Sequence, residues 1–236
     1  MISILAVLTQ RQALEAIYAA NGGLLWAGAS AWNTSAPECA WAGIICNRDG
    51  FVIDINLDGF GLVGKLPDVF ASFPMLKSLY LNNQNLVSAI PASFCTLVHL
   101  QYLQANNAGL IGVVPTCLCN LANVMFVYMD YNLLTGAIPK CIGKLKFLKE
   151  AHFACNLLEG PIPAGLASLK YLIEFHADCN LAIDCTSDLA TRPNFIFHCG
   201  ITDCDSCDMK GPVVPEIPEE AVCAPVVHFP ICRILE

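Results

Sequence analysis

Val124 to Pro139 reads VMFVYMDYNLLTGAIP, and the same skeleton returns every 24 residues. Its closing Ile138-Pro139 has counterparts at Leu66-Pro67, Ile90-Pro91, Val114-Pro115 and Ile162-Pro163, with no slippage of phase. Two residues before each apolar member stand Gly64, Ser88, Gly112, Gly136 and Gly160. Upstream, an alternating apolar pair recurs as Leu79/Leu81, Leu103/Ala105, Val127/Met129, Ala151/Phe153 and Phe175/Ala177, after a partial copy at Ile55/Leu57. Three positions earlier lies another apolar column: Leu76, Leu100, Val124, Leu148 and Leu172. Alternation with a period of two describes a short strand whose apolar side chains face inward. One copy cannot bury its own apolar face, so successive copies must stack around a shared core.

The spacing resembles the plant-type leucine-rich repeat, LxxLxxLxLxxNxLxGxIPxx, from about Phe51 to Asn180. That resemblance implies an α/β solenoid, a right-handed superhelix with a parallel concave β-sheet. It divides the chain into an N-terminal cap (1–50), about six coils (51–184) and a Cys-rich C-terminal cap (185–236). The asparagine column is incomplete. Asn132, Asn156 and Asn180 fit it, but Phe60, Gln84 and Ala108 hold the same place in the earlier copies. In the family this asparagine hydrogen-bonds backbone groups along the turn, so the N-terminal half of that ladder is expected to be broken or satisfied differently.

The ends carry their own signals. Gln12 to Tyr18 has helical spacing of apolar residues, and Met1–Thr9 reads as the first turns of that helix in preference to a signal-peptide remnant. Cys39-Ala-Trp41-Ala-Gly43-Ile-Ile-Cys46 resembles the CxWxGxxC of the N-terminal cap on this repeat class, which implies a Cys39–Cys46 bridge. Asn33-Thr34-Ser35 is a glycosylation sequon. The tail, with Cys185, Cys199, Cys204, Cys207, Cys223 and Cys232, is similar to the Cys-rich endings of secreted algal and protist repeat proteins. Cys204-x-x-Cys207 is read as part of a disulfide cap, because no second CxxC completes a zinc site and no redox βαβ surrounds it. Within the repeats, Cys95 and Cys119, Cys117 and Cys141, and Cys155 and Cys179 share columns. Neighbouring coils lie about 4.8 Å apart, which permits bridges within each column. Parallel Cβ vectors oppose that geometry, and small buried thiols are the alternative.

Composition narrows the function classes. Charged residues are 14% of the chain and hydrophobic residues 56%, against about 25% charged in an ordinary soluble domain. No apolar run reaches the length of a membrane span. The net charge of −8 and the scattered twelve Lys and Arg argue against nucleic acid. Fourteen cysteines suit a disulfide framework in an extracellular or cell-surface setting. No nucleophile elbow, phosphate-binding glycine loop or HExxH is present, so neither an enzyme nor a cofactor is expected.

Outward strand positions point to the concave face as the binding surface. Its columns hold Tyr80, Tyr102, Gln104, Phe126, Tyr128, Asp130 and Tyr131, then Glu150, His152, Glu174, His176 and Asp178. The first half is aromatic and amide-rich, a composition suited to protein or glycan contact. The second half pairs Glu with Glu and His with His on adjacent coils. Two imidazoles and two carboxylates have the chemistry to hold a divalent metal. The plainer reading is a solvated acidic patch without a metal. Low charge on a thin solenoid favours a structural or self-associating subunit of an extracellular assembly, an oligomer burying its neutral surface. The alternative is a recognition protein that binds a protein or glycan on its concave face.

Overall fold

The computed structural model describes residues 8–186, 189, 193 and 195–200. An α-helix runs from Gln10 to Ala20, capped by Thr9. Thr9 Oγ1 accepts from the Gln12 amide, and Gln12 Oε1 accepts from the Thr9 amide, the reciprocal pair of a capping box. The helix therefore begins at Gln10, later than the reading of Met1–Thr9 as helical turns; Met1–Val7 lie outside the described residues. Ala13, Leu14 and Ile17 are buried beneath it. The rest of the cap is an aromatic stack in which Trp26, Trp32 and Trp41 bury their rings and donate their indole N–H groups to the carbonyls of Asn21, Ala42 and Ala36. The Cys39–Cys46 disulfide closes the expected loop.

From there one coil follows another. The main sheet has eight strands: Ile44–Cys46, Val52–Asn56, Ser78–Tyr80, Tyr102–Gln104, Phe126–Tyr128, Glu150–His152, Glu174–His176 and Ile196–His198. The first two pair antiparallel as the cap joins the repeats, and every later pair is parallel. The register is column on column, as the 24-residue period requires: Leu79 faces Leu103 and Leu103 faces Val127. The sheet continues beyond residue 184, where the sequence placed the start of the tail. Ile196–His198 pairs with Glu174–His176 after a step of 22 residues, which hid it from the 24-residue pattern. A second parallel sheet joins Ile111–Val113, Leu133–Gly136, Leu157–Pro161 and Ala182–Asp184 on the flank.

The Pro column starts the opposite side of each coil. Pro91, Pro115, Pro139 and Pro163 precede the 3-10 helices Ala92–Thr96, Thr116–Asn120, Lys140–Lys144 and Ala164–Ser168, with φ between −70° and −58°, close to the value the ring enforces. Apart from the capping helix, helical structure in the described residues is of this 3-10 kind. Gly64, Gly112, Gly136 and Gly160 all adopt left-handed φ, which explains glycine in that column. Ser88 does not. Its hydroxyl instead accepts from the Leu66 amide at 3.0 Å.

In the earlier coils the asparagine ladder is satisfied differently, one of the two outcomes expected from the sequence. Gln84 reaches the same groups with a longer side chain: Oε1 accepts from Gly61 and Leu62, and Nε2 donates to the Leu57 and Asn82 carbonyls. At Ala108 the backbone moves in. Leu86 N–H donates to the Ala108 carbonyl at 3.2 Å. A Cβ on the following Gly109 would lie 2.0 Å from Leu86 O, so glycine permits the approach. Phe60 meets the cap, its ring 5.7 Å edge-on to Trp26.

The inter-coil disulfides correct the same-column pairing. Cys95 bonds Cys117, and Cys119 bonds Cys141, each across 22 residues with Cα separations of 5.4 and 5.8 Å. Same-column side chains point in parallel. One turn, Thr116–Asn120, instead sends Cys117 back to the preceding coil and Cys119 on to the next. Cys155 and Cys179 each take part in a disulfide, with no bridge between the two among the described bonds, and Cys185 bonds Cys199. Cys204 and Cys207 lie outside the described residues. Peptide mapping without reduction is expected to recover Cys95–Cys117 and Cys119–Cys141. Replacing both members of the Cys119–Cys141 pair by serine should cost about 3 kcal/mol, from the loop entropy released in the unfolded chain; a Cys95–Cys119 peptide would refute the connectivity.

Candidate functional site on the concave face

Parallel pairing lines up the outward residues of the main sheet. One row runs Ser78, Tyr102, Phe126, Glu150, Glu174 and Ile196, and the next runs Tyr80, Gln104, Tyr128, His152, His176 and His198. Every concave-face residue expected from the sequence is half-buried: Tyr80, Tyr102, Gln104, Phe126, Tyr128, Asp130, Tyr131, Glu150, His152, Glu174, His176 and Asp178. These side chains lie against each other along the sheet.

The rings form a continuous strip. Tyr102 stacks on Phe126 with centroids 4.9 Å apart, and Phe126 meets Tyr128 at 6.2 Å. Tyr128 is 4.7 Å from His152, which stacks flat on His176 at 4.1 Å, and His198 follows at 4.4 Å. His198 was missed in the sequence because its strand falls out of phase. Lys149 Nζ sits over the Phe126 ring at 5.6 Å, within cation–π range.

Asp130, expected to face a ligand, holds the scaffold together with its column neighbours. Asp58 Oδ1 accepts from the Asn82 amide, Asn82 Oδ1 from Asn106, Asn106 Oδ1 from Asp130, and Asp130 Oδ1 from Ala154. This is a second ladder on the outer side of the sheet, running parallel to the buried asparagine column. Tyr131 occupies a left-handed position at φ 57°, in line with Asn83, Asn107, Cys155 and Cys179. That conformation costs a non-glycine residue roughly 1–2 kcal/mol, and its recurrence in five coils ties the column to the turn that presents the next residue, Gln84, Ala108, Asn132, Asn156 or Asn180, to the core.

The Glu and His cluster is packed more closely than a solvated patch. Tyr128 donates its hydroxyl to Glu150 Oε2 at 2.5 Å. Burial, then this bond and the charges of Glu150 and Glu174, raise the phenol well above its usual range. Glu174 Oε1 lies 2.9 Å from His176 Nε2 and 3.5 Å from His152 Nε2, and Asp130 Oδ2 is 3.6 Å from His152 Nδ1. Burial and the neighbouring His152 and His198 hold His176 below the ordinary 6.5, against the opposing pull of Glu174 and Asp130. An NMR titration should therefore place the His176 midpoint under that of a free imidazole; a midpoint above it would contradict the packing. On the cap, Asn33 is exposed at φ 53°, while the Arg11 guanidinium binds the Thr34 and Ala36 carbonyls beside it.

Comparison with known proteins agrees with this architecture. No family model matches the chain. A stretch of 58 residues is 34% identical to receptor-like protein kinase 5 of Arabidopsis thaliana, covering 24% of this chain and 6% of that protein. A plant ice-binding protein superimposes with a TM-score of 0.67 at 25% identity, over 72% of this chain and 55% of that one. The leucine-rich repeat ectodomain of the Arabidopsis receptor kinase HAESA, solved with an IDA peptide hormone ligand, gives 0.61 at 28% identity, over 73% and 30%. The chain thus spans little more than half of the structural relative and a small part of the kinase. The fold is that of a leucine-rich repeat solenoid. Its repeat, its cap and these likenesses make the chain similar to plant-type leucine-rich repeat proteins. Among the described residues no helix is long and apolar enough to cross a membrane.

Proposed function

We propose that this chain is an extracellular, non-catalytic recognition module whose concave strip binds a protein ligand as an extended segment. The observation that carries this reading is the run of rings from Tyr102 through Phe126 and Tyr128 to His152, each in contact with the next. Aromatic residues on rigid strands give large contact area at little entropic cost. Strands about 4.8 Å apart offer a repeating set of footholds to an extended chain. Binding of a peptide hormone by the HAESA ectodomain supports a peptide over a glycan. The disulfides and the exposed sequon at Asn33 support an oxidising, glycosylating environment.

Selection of a displayed random-peptide library against the immobilised chain tests this. Enriched peptides should bind the wild type and lose at least tenfold in affinity against the Tyr102→Ser/Phe126→Ser variant. Equal binding to both, or no enrichment, overturns the reading.

Self-association is a second reading with its own support. Phe147, Tyr171 and Ile173 are about half exposed, and Phe147 stacks on Tyr171 across neighbouring coils at 6.4 Å. Light scattering should then report a mass above 25.4 kDa that falls to the monomer in Phe147→Glu/Tyr171→Glu; a wild-type monomer removes this reading.

A further inference from the structure

Toward the C-terminal end of the strip, three side chains converge. One imidazole nitrogen each of His152 and His176 and a carboxylate oxygen of Glu174 all lie within 4.8 Å of one another. The Nε2 atoms of both histidines are shielded from solvent, yet neither has a hydrogen-bond partner among the described residues, because the nearby Glu174 oxygen is poorly aligned for one. A buried polar atom without a partner calls for an explanation, and here two such atoms lie beside the same carboxylate. The cause is topological. The two histidines share a register on adjacent parallel strands, which holds their rings parallel, 2° apart in plane.

We propose that His152, His176 and Glu174 form a binding site for a divalent transition-metal ion of the zinc class. Two imidazoles with one carboxylate are the protein ligands of open four-coordinate zinc sites, which leave one position for water or another donor. Bond lengths near 2.0–2.1 Å place tetrahedral ligand atoms roughly 3.4 Å apart. The separations of 2.9 and 3.5 Å to Glu174 Oε1 bracket that value, and since the two rings lie parallel in a stack, one imidazole turns out of it to aim both nitrogens at the ion. Nitrogen donors disfavour calcium and magnesium, which take oxygen. The surrounding carboxylates have defined places. Glu150 is engaged by the Tyr128 hydroxyl and is not a ligand. Asp130 faces His152 Nδ1 from 3.6 Å, the position from which a carboxylate orients a metal-bound imidazole. The fourth position remains for water or for a side chain of a bound molecule.

The site is tested with zinc ion alone, by calorimetric titration of the full, oxidised chain after chelator treatment and dialysis. One zinc per chain is expected, with calcium giving no saturable heat. Uptake should vanish in His152→Gln/His176→Gln, and Asp130→Asn, whose Oδ1 can still accept from Ala154, should weaken it by about tenfold or more. Circular dichroism melts establish that each variant is folded. If the double variant does not fold, the near-isosteric Glu174→Gln carries the test and should weaken uptake at least as much. No saturable uptake by the wild type, or unchanged uptake in a folded ligand variant, overturns the proposal. Neither result depends on whether the strip binds a peptide.

Discussion

Replacing Asn132 by alanine is expected to lower the unfolding free energy by about 3–5 kcal/mol. Its Oδ1 accepts from the Ala108 and Leu110 amides, and its Nδ2 donates to the carbonyls of Ala105, Met129 and Asp130. The loss is not shared equally. The Met129 carbonyl keeps Asn156, and the Asp130 carbonyl keeps the Asn107 amide. Two amides and the Ala105 carbonyl lose these bonds, each worth roughly 1–3 kcal/mol when stranded in the interior. Ala108, in the preceding coil, has no side chain with which to compensate. Urea unfolding with the disulfides intact should show a lower midpoint at an unchanged slope. The exposed Asn123 donates one bond, to the Val98 carbonyl, and its alanine variant should stay within about 0.5 kcal/mol of wild type. Similar losses at both positions would mean that the buried column is not a structural ladder.

Truncating Phe175 to alanine should cost a comparable 3–5 kcal/mol. The ring is fully buried and lies between Phe153 at 6.4 Å and Phe197 at 6.1 Å, three successive turns of one spine. A cavity there removes the internal support of the strand Ile196–His198, so amide exchange in that strand should accelerate more than in Phe126–Tyr128. Two residues away in sequence, Ile173 is about half exposed, and Ile173→Ala should change stability by less than about 1 kcal/mol. Equal destabilisation by the two substitutions would contradict a shared core with one buried face per strand.

How far these features could be read from the sequence follows from their spacing. The parallel sheet, its register and the inward columns follow from a strict 24-residue period, because identical spacing leaves one way to stack. The capping helix and the Cys39–Cys46 loop were legible as local motifs. Features that depend on a different offset were not. Disulfides at a spacing of 22 crossed the columns, and the strand carrying His198 entered the sheet two residues early. Gln84 filled an asparagine position through one extra methylene, a compensation that spacing cannot display. On the concave face the membership of each row was legible, but the use of each side chain was not. Asp130 and its column neighbours pair with backbone amides, and His152 and His176 stack face to face along the sheet.

Recognition through the concave strip is tested most directly by carbene footprinting of the chain with and without a selected, tightly bound peptide. Binding is predicted to reduce labelling at Tyr102, Phe126 and Tyr128 and to leave Phe147, Tyr171 and Ile173 unchanged. Protection confined to Phe147, Tyr171 and Ile173, with the aromatic strip labelled as before, would contradict it.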